Sequence, residues 1–132
     1  MPGDFFDTNV LIYLVSNDAP KADRAEALLS AGGTISVQVL NEFANVARRK
    51  MAMEWAEIRD FLATLRALLS VEAVTLDMHG RGLALAERHG LSIYDAMIVA
   101  AALETDCERL FSEDMHAGMV VDGRLTIVNP FA

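Results

Sequence analysis

The pattern of apolar and polar positions along the chain predicts short buried strands that alternate with helices. In one of the helices, Leu40, Phe43 and Ala47 lie at i, i+3 and i+7, a spacing that places all three on one face. The predicted strands cover residues 5–6, 34–36, 71–76, 109–111 and 125–128. The predicted helices cover residues 9–15, 21–29, 37–50, 54–69, 77–89 and 92–105.

Strands separated by helices are typical of an α/β domain with a mostly parallel sheet flanked by helices. The length of 132 residues fits a single domain over 1–132, since domains cluster at roughly 100–150 residues. In such a sheet, ligands bind in the crevice beyond the carboxyl ends of the strands. The polar residues that directly follow the predicted strands are therefore the first candidates for a functional site.

The net charge and the cysteine content of the chain argue against several classes of function. The chain carries 19 acidic and 11 basic side chains, a formal net charge of −8. Its overall field therefore disfavours binding to nucleic acid, unless a metal ion held by some of the carboxylates supplies positive charge. The single cysteine, Cys107, excludes an intramolecular disulfide and a cage of thiolates around zinc.

The sequence predicts a cytoplasmic protein that does not cross a membrane. The first residues, Met1 to Asp4, include no basic side chain, so they do not predict a signal peptide. The apolar run over residues 10–15 is far shorter than the roughly 20 residues that a membrane-spanning helix needs. Apolar residues make up 53 % of this small chain, which predicts surplus apolar surface for a partner.

Four carboxylates fall at equivalent places in the predicted topology. Asp7 directly follows the first strand, and Asp114 follows the strand that ends at Phe111. Glu42 and Asp95 lie near the starts of two predicted helices. A parallel sheet can bring all four to one edge, where their oxygens suit Mg²⁺ or Mn²⁺. Two such ions can activate a water molecule and stabilise the displacement at a phosphodiester.

Each carboxylate also has a structural explanation. Asp7 can stabilise a helix start, Glu42 can be solvated, and Asp114 can belong to a polar turn. Asp95 completes a capping box with Ser92. However, residues 96–103 have no polar side chain, so the helix behind Asp95 is predicted to be buried, and a carboxylate at its start should be paired or bound to metal.

Other reactive or charged residues carry less weight. His116 lies close to Asp114 but is interpreted as a surface histidine, and Glu113 is treated as secondary. Acidic neighbours should raise the pKa of Cys107, which argues against a thiolate nucleophile. The basic run 48–50 suits a helix C-terminus, and a contact with phosphates is the less favoured interpretation.

Five segments together resemble PIN-domain ribonucleases, and more narrowly the VapC-type toxins of type II toxin–antitoxin (VapBC) systems. The resemblance covers essentially the whole chain and rests on the combination of segments rather than on any one. The segments are Asp-Thr-Asn-Val-Leu-Ile-Tyr at 7–13, Ser-Val-Gln-Val-Leu-Asn-Glu at 36–42, Leu-Ser-Ile-Tyr-Asp-Ala at 91–96, Ser-Glu-Asp-Met at 112–115 and Asn-Pro-Phe at 129–131.

This resemblance implies a PIN fold and Mg²⁺- or Mn²⁺-dependent endonuclease cleavage of RNA. It also implies a VapB-type antitoxin as partner and a homodimer. Val39 and Val46 lie seven residues apart and off the predicted core face of their helix, so they are the candidate interface residues, unless they pack against the helix over 54–69 of the same chain. By this resemblance, the residues at the family's catalytic and metal-binding positions are Asp7, Glu42, Asp95 and Asp114. The residues at its supporting polar positions are Asn9, Ser36 and Ser112.

Three other functions compete with this interpretation. A non-enzymatic PIN-like module that binds protein would be favoured by a degenerate acidic set, whereas this set is intact. A signalling receiver domain needs a lysine after its last strand, but Lys21 and Lys50 both lie early in the chain. A phosphatase of the haloacid dehalogenase type needs an aspartate where this chain has Asn9.

Overall fold

Six strands form one layer at the centre of the protein, as seen in a computed structural model that describes residues 3–132. Met1 and Pro2, on which part of the signal-peptide expectation rests, lie outside the described residues. The strands are β1 (Gly3–Phe6), β2 (Thr34–Ser36), β3 (Ser70–Glu72), β4 (Cys107–Phe111), β5 (Val120–Val121) and β6 (Leu125–Val128). Their order across the sheet is β3-β2-β1-β4-β6-β5.

Helices connect the parallel strands and flank the sheet, so the predicted α/β class is confirmed. Within residues 3–132, no helix is both long enough and apolar enough to span a membrane. The helices are α1 (Thr8–Leu14), α2 (Ala19–Ser30), α3 (Val37–Lys50), α4 (Trp55–Leu68), α5 (Leu76–His89) and α6 (Ile93–Glu104).

The centre of the sheet fixes where the functional segments emerge. Strand β1 pairs in parallel with β2 on one side and with β4 on the other, and Phe6 lies opposite Phe111. The residues that follow these two strands, Asp7 and Ser112, therefore leave the sheet side by side. Strand β5 alone among the described strands runs antiparallel to its neighbour, β6.

Helix α6 is the most deeply buried helix, as its sequence predicts. Every residue from Ala96 to Leu103 is buried. Helix α5 approaches it so closely that a Cβ atom on Gly82 would lie 2.6 Å from the Sδ atom of Met97. This packing holds the start of α6, and with it Asp95, at a defined place beside the sheet.

The structure differs from the predicted strands most clearly at β3 and β5. The third strand ends at Glu72 rather than at Leu76, because the hydroxyl of Thr75 accepts a hydrogen bond from the backbone N–H of Met78 and begins α5. Strand β5 was not predicted, because a two-residue strand has too little periodic pattern to be recognised.

The buried face of α3 also differs from the prediction. It is centred on Val39, Phe43 and Ala47, whereas Leu40 is only half-buried. Val39 is fully buried within the chain, so its prediction as an interface residue was wrong. Ser36 directly precedes α3 as its N-cap residue, but its side chain forms no capping hydrogen bond.

Candidate active site

A cleft of about 450 Å³ opens at the carboxyl edge of the sheet and is lined by all four of the carboxylates singled out in the sequence. They come from four separate parts of the fold: the end of β1, the second turn of α3, the first turn of α6 and the loop after β4. The four are Asp7, Glu42, Asp95 and Asp114.

Asp7 forms the floor of the cleft and is only 5 % exposed. Its Oδ1 atom accepts a hydrogen bond from the backbone N–H of Thr8 (2.7 Å), which makes it the N-cap of α1. Its Oδ2 atom accepts from the hydroxyl of Ser112 (2.7 Å) and from the side-chain amide of Asn9 (3.3 Å). The structural explanation of Asp7 as a helix cap and its interpretation as a site residue are therefore compatible, since the same carboxylate caps α1 and lines the cleft.

The electrostatics of Asp7 reflect this burial. Removal from water raises the pKa of its carboxyl to about 6, against the opposing effect of the hydrogen bonds from Ser112 and Thr8. The negative charges of Asp95 and Glu42 raise the pKa further. The carboxylates are thus close enough to repel one another, and a cation among them would relieve that repulsion.

Ser112 connects two of the carboxylates. This residue is fully buried, and its hydroxyl donates to Asp7 while it accepts hydrogen bonds from the backbone N–H groups of Asp114 (3.2 Å) and Met115 (3.3 Å). The side-chain amide of Asn9 donates to Asp7, to Ser112 and to Asp114 (3.2 Å). Asn9 and Ser112 therefore set the position of the exposed Asp114 relative to the buried Asp7.

Glu42 is oriented by two residues that the sequence did not single out as site residues. The hydroxyl of Thr8 donates to its Oε1 atom (2.6 Å), and the side-chain amide of Gln38 donates to its Oε2 atom (2.9 Å). Gln38 also donates to the backbone carbonyl of Tyr94, which ties α3 to the start of α6. Thr8 lies inside the polar run 7–9, and Gln38 lies one helical turn before Glu42. The sequence position of each residue therefore gave some indication that it belongs to the site.

Asp95 enters the cleft from the start of α6. Its backbone N–H donates to the hydroxyl of Ser92 (3.1 Å), which caps the helix, while its carboxylate lines the cleft. Burial raises the pKa of Asp95, its hydrogen bond with Ser92 opposes the rise, and the charges of Asp114 and Glu42 add to it. Asp95 therefore takes part in the helix cap through its backbone and lines the cleft with its side chain.

The donor set has the chemistry of a site for a hard cation, because every candidate ligand is an oxygen atom. Within residues 3–132, no three Asp, Glu, His or Cys side chains are gathered closely enough to form a ready-made cage for an ion. Mg²⁺ does not need one, since it commonly keeps several water molecules and binds protein through one or two carboxylates. The residues therefore fit a partly hydrated divalent ion.

Other predicted residues occupy different places. Ser36 is buried at the end of β2, outside the lining of the cleft, and within the described part of the chain its hydroxyl has no hydrogen-bond partner. His116 is exposed. Burial raises the pKa of the Cys107 thiol, and the charges of Asp4 and Asp106 raise it further, which agrees with the prediction of an unreactive cysteine.

A sequence profile for the PIN domain matches residues 5–117, and this range includes all four carboxylates. The chain belongs to the PIN-domain family. The expected family and fold are therefore confirmed. None of the curated protein sequences compared with this PIN domain matches it significantly.

Solved structures of similar fold include three from bacterial toxin–antitoxin systems. A chain of a toxin–antitoxin complex from Klebsiella pneumoniae is 24 % identical, with a TM-score of 0.73 and coverage of 96 % of this chain and 97 % of that one. VapC20 of Mycobacterium tuberculosis, described as a toxin that cleaves the sarcin–ricin loop, is 21 % identical, with a TM-score of 0.63 and coverage of 84 % and 91 %. A chain of DNA-bound VapBC from Salmonella typhimurium is 21 % identical, with a TM-score of 0.66 and coverage of 96 % and 97 %.

Proposed function

We propose that this PIN domain is a Mg²⁺- or Mn²⁺-dependent endoribonuclease and the VapC-type toxin of a type II toxin–antitoxin system. The observation that carries the proposal is the convergence of four carboxylates, from four separate parts of the fold, on one cleft. The fold shared with VapC20 and with chains of toxin–antitoxin complexes supports the same function. The cytoplasm is the compartment we propose for it.

Asp7, Glu42, Asp95 and Asp114 would hold the metal in this proposal. When bound, the metal lowers the pKa of a water molecule and offsets the charge of the phosphodiester. The protein's own contribution is orientation. Hydrogen bonds from Ser112 and Asn9 hold Asp7, and those from Thr8 and Gln38 hold Glu42, so these two carboxylates are already oriented before a metal binds.

The reaction is hydrolysis of an RNA phosphodiester. Water adds to phosphorus, the bond from phosphorus to the 3′ oxygen breaks, and the products carry 5′-phosphate and 3′-hydroxyl ends, as the family resemblance implies. The proton that leaves the attacking water passes to an oxygen of a cleft carboxylate that the metal leaves free.

A group of cations without ion pairs supports binding of the RNA backbone despite the net charge of −8. Within residues 3–132, five cations on the last turn of α3 and on α4 form no ion pair with a carboxylate, whereas Lys21, Arg81, Arg88, Arg109 and Arg124 all do. Two of the five line a second cleft, of about 700 Å³. The five are Arg48, Arg49, Lys50, Arg59 and Arg66.

A homodimer and a VapB-type antitoxin are the proposed protein partners. Since Val39 is buried, we propose for the second copy an apolar surface at the starts of α3 and α6, where Val37, Ile93 and Tyr94 are exposed. An arginine of the antitoxin could enter the acidic cleft and pair with its carboxylates. Light scattering should give a dimeric mass at micromolar concentration, and an antitoxin whose C-terminal arginines are replaced by alanine should inhibit cleavage less.

The test of the proposed function compares two aspartates in similar local structures. Asp95 and Asp77 each lie in the first turn of a helix, but only Asp95 lines the cleft. With a mixed RNA pool and Mn²⁺, Asp95→Asn should abolish cleavage while Asp77→Asn retains it. If the wild-type protein does not cleave RNA yet binds the antitoxin, the non-enzymatic binding module is the better description.

A further inference from the structure

A second polar cluster adjoins the four carboxylates and is built around Glu113. Its Oε2 atom accepts a hydrogen bond from the Nζ atom of Lys21 (2.6 Å), and its Oε1 atom accepts from the hydroxyl of Tyr13 (2.5 Å). Lys21 also donates to the hydroxyl of Tyr13 (3.1 Å). Both carboxylate oxygens of Glu113 are thus already engaged by donors from α1 and α2, and we refer to Tyr13, Lys21 and Glu113 as the brace.

Aromatic packing restricts the lysine of the brace. The Nζ atom of Lys21 lies 4.7 Å from the centre of the Tyr13 ring and 5.7 Å from that of Phe131. The two rings themselves meet edge to face with their centres 4.7 Å apart. Cation–π contact on two rings limits the conformations that a surface lysine otherwise samples, so less entropy is lost when it binds Glu113.

The brace holds the loop that carries Asp114. Glu113 lies between Ser112 and Asp114, and its backbone N–H donates to the Oδ1 atom of Asn9 (3.2 Å). Asn9 and Tyr13 are one helical turn apart on α1, so the loop after β4 is attached to that helix at two successive points. Asp7, the N-cap of the same helix, is therefore held at a fixed distance from Asp114.

Electrostatic repulsion between the carboxylates of the cleft explains why the loop that carries Asp114 needs this attachment. Asp114 is exposed, and its negative charge acts on Asp95 across the cleft, so the two carboxylates repel each other. We infer that Glu113 is a positioning residue which, through Lys21 and Tyr13, holds Asp114 beside Asp7 against this repulsion. The inference rests on the proposed function, and it assigns Glu113 neither to the metal ligands nor to the reacting groups.

The test uses a matched ion pair elsewhere in the fold. Arg81 and Glu104 lie 2.7 Å apart, and their side chains are 34 % and 35 % exposed, against 33 % and 25 % for Lys21 and Glu113. Glu113→Gln and Lys21→Met should each weaken Mn²⁺ binding by about threefold to tenfold in calorimetry without RNA. Glu104→Gln should leave Mn²⁺ binding unchanged, and Lys21→Arg, which keeps the charge, should restore most of it.

Kinetics provide a second readout that a purely structural role would not produce. In Glu113→Gln, kcat should fall at low Mn²⁺ and recover at high Mn²⁺, while KM for RNA and the melting temperature change no more than in Glu104→Gln. Equal Mn²⁺ affinity in the two variants, or a loss that follows the melting temperature, would overturn the inference. A wild-type protein that neither binds Mn²⁺ nor cleaves RNA would instead contradict the proposed function.

Discussion

The hydroxyl of Ser112 donates a 2.7 Å hydrogen bond to the Oδ2 atom of Asp7, across 105 residues of sequence. The bond is possible because β1 and β4 are parallel neighbours that end in register, so that the residues following them meet. It stabilises the charged form of a carboxylate that is otherwise deprived of water. The candidate site thus depends on a contact that only the sheet can create.

Replacing Ser112 by alanine should destabilise the protein. Asp7 would lose a donor, and the backbone N–H groups of Asp114 and Met115 would lose their acceptor. Leaving buried polar groups unpaired costs about 1–3 kcal/mol, so the free energy of unfolding at pH 7.5 should fall by about that amount. Ser30→Ala, which removes an exposed hydroxyl bonded to the carbonyl of Ala27, should change it by less than about 0.5 kcal/mol.

The raised pKa of Asp7 predicts a pH-dependent effect of Asp7→Asn on the metal-free protein. Because the folded pKa of about 6 exceeds the ordinary value of 3.8, the folded state binds the proton more tightly than the unfolded state does. Ionisation of Asp7 therefore costs stability progressively as the pH rises from about 4 to about 6, and the cost stays constant above that. Asp7→Asn should raise the free energy of unfolding at pH 7.5 by up to about 3 kcal/mol, at 1.36 kcal/mol per pKa unit.

Urea denaturation with EDTA present at pH 4 and at pH 7.5 would measure this effect. The increase in the free energy of unfolding caused by Asp7→Asn should be absent at pH 4. Asp77→Asn should cause no increase at either pH. With Mn²⁺ at pH 7.5, the wild-type protein should instead be more stable than Asp7→Asn, because an ion that binds only the folded wild-type protein stabilises it. A variant that is destabilised equally at both pH values would show that Asp7 serves only as a helix cap.

Much of this architecture could be predicted from the sequence, because helix and strand periodicity are local properties. The alternation of strands and helices, the burial of α6 and the placement of the acidic residues after strands all followed from the pattern. The extent of β3 could not be predicted, because Thr75 acts as a helix cap only when the chain turns there. Val39 was misplaced because the face of α3 that is buried depends on its packing against the rest of the fold.

The candidate carboxylates could be named from the sequence, but the contacts that hold them could not. Ser112 had only weak support in a polar triplet typical of a turn, yet it is fully buried and joins Asp7 to Asp114. Lys21 and Glu113 are 92 residues apart, and no local pattern connects them. Such contacts depend on tertiary structure, which a single sequence does not display.

The cations of α4 should contribute to RNA binding through the phosphate backbone. On the Asp95→Asn background, which prevents cleavage, Arg59→Ala with Arg66→Ala should weaken RNA binding. The slope of log affinity against log salt should decrease by about 1.4, since each contact with a single-stranded phosphate contributes roughly 0.7. Arg88→Ala with Arg124→Ala, which removes the same charge from residues paired with Asp122 and Asp106, should leave the slope unchanged.

The metal dependence of RNA cleavage tests the central claim most directly. Protein treated with EDTA and freed of the chelator should not cleave RNA, and cleavage should return with added Mg²⁺ or Mn²⁺. In the same assay, Asp7→Asn should stay inactive at every metal concentration although it folds. Full cleavage in EDTA, or full cleavage by Asp7→Asn, would contradict the account, because the four carboxylates would then not be the site of a metal-dependent reaction.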